Sequence, residues 1–302
     1  MKILILGSNT DAHVAHIQSR LQEFSVDVEC WETHFFPQKT RLSMDVDRND
    51  GTIEFDSGKR WKWSEIHSVY WRTFSGVDVP PLSDREQYRI AVGDANSTLR
   101  SFMQACPARW VNPWAAYRFH QEKPLQLKKA RQIGIPIPRT SITNSPDEVI
   151  AFCSEGGERI IFKPVYGGTH TQFVTLNHLE RERLSYALSY SPVTLQEYIP
   201  GTNIRSYVIG EEVYSAEISS SEVDFRSDRQ TELRPKNVPE SVKEQCRKIA
   251  QEFGMEWTAI DWRLKPTGEY IFLEANFSPM FVHFERETGF PIGEKLAELL
   301  MR

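Results

Sequence analysis

The sequence predicts an α/β protein, and three observations carry that expectation. Residues 2–6 (KILIL) form an apolar run that stops at Gly7, a helical pattern follows from about Val14 to Phe24, and a second extended stretch runs from Val26 to Trp31. Strand, helix and strand in that order make a β-α-β unit. From residue 138 onward strand-like and helix-like patterns alternate, and near the C-terminus a hairpin pattern turns at Lys265-Pro266-Thr267-Gly268.

The remaining elements follow in order. Between Thr52 and Arg72 the runs TIEF, RWKW and SVYWR are divided by Asp56, Ser57 and Gly58, which predicts a hairpin leading into another strand. Trp61, Trp63, Tyr70 and Trp71 there read as core aromatics. Residues 84–105 are helical by pattern. After Asn112-Pro113 one helix is expected from about Ala115 to Ile133, closed by Gly134, Pro136 and Pro138. A strand around Pro138 to Ile142, a helix from Pro146 to about Ser154, strands at 159–164 and 171–176, a helix near 178–189 and a strand at 194–199 come next. Antiparallel strands at 204–209 and 212–219 precede a polar stretch and a helix at 240–253, whose Val242, Cys246, Ile249, Ala250 and Phe253 share one packing face. Strands at 256–263 and 269–275 and a helix from Ile292 to Met301 complete the chain. The expected organisation is an N-terminal α/β lobe over 1–112, a central lobe over 113–195 and a C-terminal lobe over 196–302.

Composition narrows the function classes. The 302 residues are 40% hydrophobic and 25% charged, which excludes a disordered or fibrous chain. The net charge is −5 and no block of lysines and arginines is present, so neither nucleic acid nor a membrane surface is an expected partner. No apolar run is long enough to span a bilayer, and the four cysteines form no CxxC pair. The short apolar run at the N-terminus reads as a buried strand, not a signal segment, and a cytoplasmic location is expected.

The sharpest chemical feature is Asp261-Trp262-Arg263 followed by Glu274-Ala275-Asn276. Residues two apart in a strand face one side, so antiparallel pairing would gather two carboxylates and an amide oxygen on one sheet face. Hard oxygen donors of this kind suit Mg²⁺, and Arg263 would balance the anions. Both carboxylates would then lie on a cleft face, and losing either would affect turnover more than folding. An ordinary exposed hairpin with a weak Asp261 to Arg263 ion pair accounts for the spacing equally well.

Two further stretches point to a nucleotide. In IIFKPVYGG at 160–168, Lys163 ends an apolar strand and Gly167 and Gly168 form a turn that can aim backbone N–H groups at phosphate. A plain turn after a strand explains this stretch too, and no GxxxxGK[ST] motif is present. The strand TLQEYIPG at 194–201 can offer adenine its alternating backbone groups, as any edge strand can. His13 and His16, without carboxylates or cysteines clustered beside them in the sequence, read as surface or nucleotide-lobe residues, not metal ligands.

In this order the pieces resemble the ATP-grasp superfamily over nearly the whole chain. Lys123 with Leu125, Leu127, Ala130 and GIPIPRT at 134–140 is similar to the helix and strand that carry the family's first nucleotide lysine, and Lys163 is similar to the second. Gln196, Glu197 and Ile199 resemble the adenine hinge, and Asn203 stands where many relatives place an acidic ribose contact. Asp261, Glu274 and Asn276 resemble the metal ligands, and Arg205 and Arg226 the substrate and phosphate arginines of the ribosomal-protein glutamate ligase branch. Within that branch SVYWR at 68–72, NPWAAYRFHQEKPLQLKKARQIGIPIPRTSITN at 112–144, QEYIPGTNIRSYVIG at 196–210 and ETGFPIGEKLAELL at 287–300 resemble the microviridin-type (graspetide) peptide macrocyclases, while FSPMFVHFE after Asn276 departs from them.

The resemblance implies three lobes closing over Mg²⁺-ATP, with Lys123, Lys163, Gly167, Gly168, Gln196, Glu197, Ile199 and Asn203 holding the nucleotide. Phosphate would pass to a carboxylate side chain of a precursor peptide, with Arg263, Arg226 and Arg205 serving the chemistry, and an amine or alcohol would then displace it to close a macrolactam or macrolactone. A homodimer is compatible with this reading. Two alternatives stay open: a ligase joining free amino acids or other small molecules, and a non-catalytic nucleotide-binding protein of the same fold.

Overall fold

The run KILIL is buried because it is an inner strand with a neighbour on each side. In this computed structural model, which describes residues 1–155, 159–166, 171–219 and 231–302, Lys2–Leu6 pairs in parallel with Asp27–Trp31 and with Ile66–Trp71, and Arg109–Val111 lies outside the latter. Ile3, Leu4, Ile5 and Leu6 are fully buried, as a parallel sheet covered on both faces requires. The helix Ala12–Glu23 starts where Asp11 accepts a hydrogen bond from the His13 amide, and it buries Val14, Ile17 and Leu21. The chain divides into two compact units, and this sheet belongs to the first, residues 1–117, 254–257 and 277–302.

A second sheet in this unit contains the expected hairpin. Asp50–Glu54 pairs with Arg60–Lys62 across a turn in which Gly58 takes φ +80°. The strand Arg41–Asp45 adds a third, unexpected member on the other side. Its sequence RLSMD offers only Leu42 and Met44 as apolar residues, and most of the strand is exposed. The long helix Arg85–Ala105 is capped by Asp84, which accepts from the amides of Glu86 and Gln87.

The C-terminal part of this unit adds a helix the pattern had not revealed, Val282–Thr288, ahead of the expected Ile292–Met301. The two early histidines are half-buried beside it. His13 Nδ1 accepts the backbone N–H groups of Phe281 and Val282 at 3.2 and 3.3 Å, and His16 Nε2 lies 2.7 Å from Glu285. They join one end of the chain to the other. Asn112 does the same from the core: its Nδ2 donates to the carbonyls of Trp257 and Phe277 at 2.7 and 2.8 Å, while its Oδ1 accepts from the amides of Glu256 and Trp257.

The second unit, residues 118–253 and 258–276, holds two sheets, the first of them antiparallel throughout. The first is ordered Gln172–Phe173, Ile160–Pro164, Val193–Glu197, Thr140–Thr143. Ile160 and Leu195 of this sheet pack with Val149, Phe152, Leu184 and Leu188 of the helices Pro146–Ser154 and Arg181–Tyr190. The second is ordered Glu232–Pro235, Glu212–Ser219, Thr202–Ile209, Trp257–Leu264, Tyr270–Asn276. Its first strand lies in the stretch read from the sequence as polar and irregular. The helix Glu240–Glu252 buries Val242, Cys246, Ile249 and Ala250 as expected, and burial pushes the Cys246 thiol up to about 12.

The single helix expected over residues 115–133 is two, Trp114–Gln121 and Lys123–Gln132. Pro124 is the reason. Its ring would collide with the carbonyl four residues back, and it has no N–H to give the ladder, so the first helix stops and Pro124 is accommodated in the first turn of the next. The break lets Lys123 begin a helix of its own.

Among the described residues no helix is long and apolar enough to cross a membrane. Asn112 supplies the stability test. It is fully buried, and Asn112→Ala would strand backbone donors and acceptors at about 1–3 kcal/mol each. Urea unfolding should therefore show a loss of about 3 kcal/mol or more, and a loss under about 0.5 kcal/mol would contradict the role given to this side chain.

Candidate functional site

The residues singled out in the C-terminal hairpin meet on one sheet face through an irregular pairing. Ala259 is opposite Asn276 and Asp261 opposite Glu274, but the next pair is Trp262 with Phe272. One extra residue on the Tyr270–Asn276 strand is absorbed as a bulge at this point. Regular pairing onward from Asp261 and Glu274 would have put Leu273 opposite Trp262 and turned Phe272 to the polar face. The bulge keeps Phe272 fully buried while Glu274 stays beside Asp261.

Asp261 takes its counter-ion from a different place than its own strand suggests. Arg205, on Thr202–Ile209, meets it in a bidentate fork, Nε to Oδ1 at 2.7 Å and Nη2 to Oδ2 at 2.8 Å. Burial lowers the Arg205 pKa, but the Asp261 charge and these hydrogen bonds outweigh it and the net direction is upward. Arg263, expected to balance Asp261, instead donates to the Ile199 carbonyl at 3.0 Å and to Asn203 Oδ1 at 2.8 Å. Its guanidinium pKa is lowered by burial, with Tyr198 opposing the shift. Arg205 reaches the carboxylate from the neighbouring strand with two nitrogens of its planar fork, while Arg263 is held by Ile199 and Asn203.

The other carboxylate is held from a helix. Lys123, at the start of Lys123–Gln132, pairs its ammonium with Glu274. Asn276 completes the group, with its amide Nδ2 3.4 Å from Asp261 Oδ2, and a half-turn of that amide would present oxygen instead. Among the described residues no three His, Cys, Asp or Glu side chains gather to hold a metal ion. A divalent cation would therefore need Asn276 as its third oxygen donor beside Asp261 and Glu274. Two carboxylates that already attract two side-chain cations fit that use.

Sequence reasoning passed over two polar residues beneath this group. Gln126, one turn after Lys123, is almost fully buried and bonds to both the amide and the carbonyl of Ala275. His120 Nδ1 lies 3.2 Å from the same carbonyl. Burial, and then the charge of Lys123, hold its pKa below the usual value, so it is a neutral imidazole at physiological pH. The signal available for Gln126 was its three-residue offset from Lys123, which puts both on one helix face.

A second group lies on the first sheet of the unit. Lys163 Nζ donates to Gln196 Oε1 at 3.2 Å, and Gln196 Nε2 donates to Thr140 Oγ1 at 2.9 Å. Alternation puts these side chains on the sheet face opposite the buried Leu195 and Ile160. In the following stretch the amides of Glu197 and Tyr198 are bonded to the carbonyls of Arg139 and Arg159. Gly201 closes it with φ +136°, where a Cβ would stand 2.0 Å from the Leu264 carbonyl oxygen, so only glycine fits. Gly167, Gly168 and Arg226 lie outside the described residues.

Residues 120–300 match the model of the RimK-like ATP-grasp domain. This chain belongs to that family. A probable alpha-L-glutamate ligase of Enterobacter sp. (strain 638) is 30% identical over 203 residues, 64% of this chain and 67% of that protein. Among solved structures, macrocyclase MdnC of Microcystis aeruginosa MRC, bound with precursor peptide MdnA, is similar over 100% of both chains at 25% identity and a TM-score of 0.88. ATP-grasp ligase PsnB complexed with minimal precursor is similar at 28% identity and 0.86 over 99% of this chain and 97% of that one. The chain is an ATP-grasp ligase, and ATP is the nucleotide its fold implies.

The geometry separates the two carboxylates. The Asp261 side chain is 9% exposed against 20% for Arg205, whereas Glu274 and Lys123 are 24% and 27% exposed. Removing one partner of a buried pair costs about 3–5 kcal/mol, because the other charge is stranded. Asp261→Asn should therefore destabilise the protein by about 3 kcal/mol in urea unfolding, more than the expectation of an effect mainly on turnover allows, while Glu274→Gln should cost under about 1 kcal/mol. Equal losses in the two variants would contradict this division.

Proposed function

We propose that this ligase uses Mg²⁺-ATP to phosphorylate a carboxylate side chain of a peptide, and that an amine or hydroxyl then displaces the phosphate. The observation that carries the reading is the pairing of Asp261 and Glu274 on one sheet face, each met by a cation, Arg205 on the first and Lys123 on the second. Transfer of a phosphoryl group needs its spread negative charge met by fixed cations, with little covalent work from the protein. Asp261, Glu274 and Asn276 would hold Mg²⁺, which when bound neutralises phosphate charge and orients the transferring group. Lys163 and Lys123 serve the phosphates. Gln196, Glu197, Ile199 and Asn203 frame the base and ribose, and Gly167, Gly168 and Arg226 keep the phosphate and substrate roles that the family resemblance gives them. The sheets built from residues 140–197 and from 202–276 would be the central and C-terminal lobes.

The carboxylate oxygen attacks the γ-phosphorus, ADP leaves, and the acyl phosphate is formed. The incoming amine or hydroxyl bonds to the acyl carbon and gives up its proton as phosphate departs. Each new amide or ester thus removes one water from the substrate. Peptide substrates are favoured because MdnC and PsnB, similar over almost their whole length, are structures with precursor peptides bound. The glutamate ligases that match about two thirds of their own length support a second reading, in which a free amino acid is the nucleophile.

Mass spectrometry distinguishes the two. A peptide with acidic residues and a separate recognition segment should stimulate ADP release and become lighter by one water per bond. Turnover with free glutamate, and none with any peptide, would overturn the peptide reading. Lys163→Ala should weaken ATP binding in calorimetry about tenfold or more, the worth of one charge-assisted hydrogen bond, and unchanged affinity would remove this lysine from the nucleotide site. Glu274→Gln should lower turnover about 10²–10³-fold, and full activity would leave the hairpin an ordinary surface.

A further inference from the structure

Among the described residues the strand Tyr270–Asn276 is the last of its sheet, so one side of its backbone has no neighbouring strand there to bond. At Ala275, between Glu274 and Asn276, that side is taken by side chains: His120 Nδ1 lies 3.2 Å from the carbonyl, and Gln126 alone bonds to both backbone groups. Gln126 Oε1 accepts from the Ala275 N–H at 2.9 Å, and Gln126 Nε2 donates to the Ala275 carbonyl at 3.1 Å. These are the two bonds that a residue of an adjacent strand would exchange with it. Gln126 is 1% exposed, so the amide is fixed by these contacts and not by water.

The place of this clamp gives it more than an edge-covering role. Ala275 joins the two proposed metal ligands of this strand, and their side chains leave the backbone on the same face. Gln126 also stands one helical turn from Lys123, so the same helix face grips the Ala275 backbone and the Glu274 carboxylate. We propose that Gln126 is a positioning residue for phosphoryl transfer, acting through Ala275 to hold Glu274 and Asn276 at the place where the metal is bound. This inference rests on the Mg²⁺-ATP reading above and adds a residue to it.

The test is the affinity of Mn²⁺, a paramagnetic stand-in for Mg²⁺, for the ADP-saturated protein, read by electron paramagnetic resonance. Gln126→Met keeps the length of the side chain and removes both bonds. Loss of an outer partner of a metal ligand weakens metal binding about 10–100-fold, and that is the expected rise in Kd, with the peptide KM unchanged. Gln132→Met, exposed on the same helix, is the control and should match the wild type. Should Gln126→Met fail to fold, Gln126→Glu, which keeps an acceptor for the Ala275 N–H, is titrated in its place and should also bind Mn²⁺ more weakly. A lower melting temperature with wild-type Mn²⁺ affinity would overturn the inference and leave the metal site standing. Absence of Mn²⁺ binding by the wild-type protein with ADP would overturn the metal reading and this inference with it.

Discussion

The displaced register between Trp257–Leu264 and Tyr270–Asn276 is the constraint on which the site depends. The hairpin must bury Trp262 and Phe272 against the unit's core and also set Glu274 beside Asp261 on the opposite face. Strict alternation from Asp261 and Glu274 would have sent Phe272 to the polar face, and the bulge removes that conflict at the cost of one irregular pair. The helix Lys123–Gln132 then fits the resulting edge, with Lys123 on a carboxylate and Gln126 on the adjoining backbone.

The two carboxylates are held with different firmness. Asp261 is buried and faces the guanidinium of Arg205 in two hydrogen bonds, a pair that cannot be separated without stranding a charge away from water. Glu274 is more exposed and its partner is a lysine, a single flexible point charge. In the proposed reaction these differences assign different duties: the first pair holds the floor of the site, and the second can part when phosphate arrives to take the lysine. Arg263 is committed to Ile199 and Asn203, and so braces the turn that follows the proposed adenine contact.

Much of the fold was legible because its strands are apolar runs with clear stops. KILIL before Gly7, SVYW before Arg72 and the DxR and ExN strands all fall where the pattern placed them. The strands Arg41–Asp45 and Glu232–Pro235 were missed, since both are short and largely exposed, the first alternating only Leu42 and Met44 with polar residues and the second holding a single leucine. Periodicity also joined two helices across Glu122, where Pro124 should have been read as a start, not as an interior residue. At the site, residue types and spacing pointed to Asp261, Glu274, Asn276 and Lys163, and the family resemblance to Lys123, but neither pointed to partners. Which arginine meets Asp261 depends on which strand lies alongside, and a buried glutamine that bonds to backbone leaves no pattern in one sequence.

The central claim is that ATP is spent on activating a carboxylate, and the fate of the oxygen atoms tests it most directly. A peptide substrate whose acidic side chains carry ¹⁸O in both carboxyl oxygens would be turned over, and the released inorganic phosphate examined by ³¹P NMR. Attack by the carboxylate on the γ-phosphorus leaves one labelled oxygen in each phosphate when the acyl phosphate is displaced. Phosphate carrying one ¹⁸O for every bond formed is the predicted result. Unlabelled phosphate accompanying the same bond formation would contradict an acyl phosphate route.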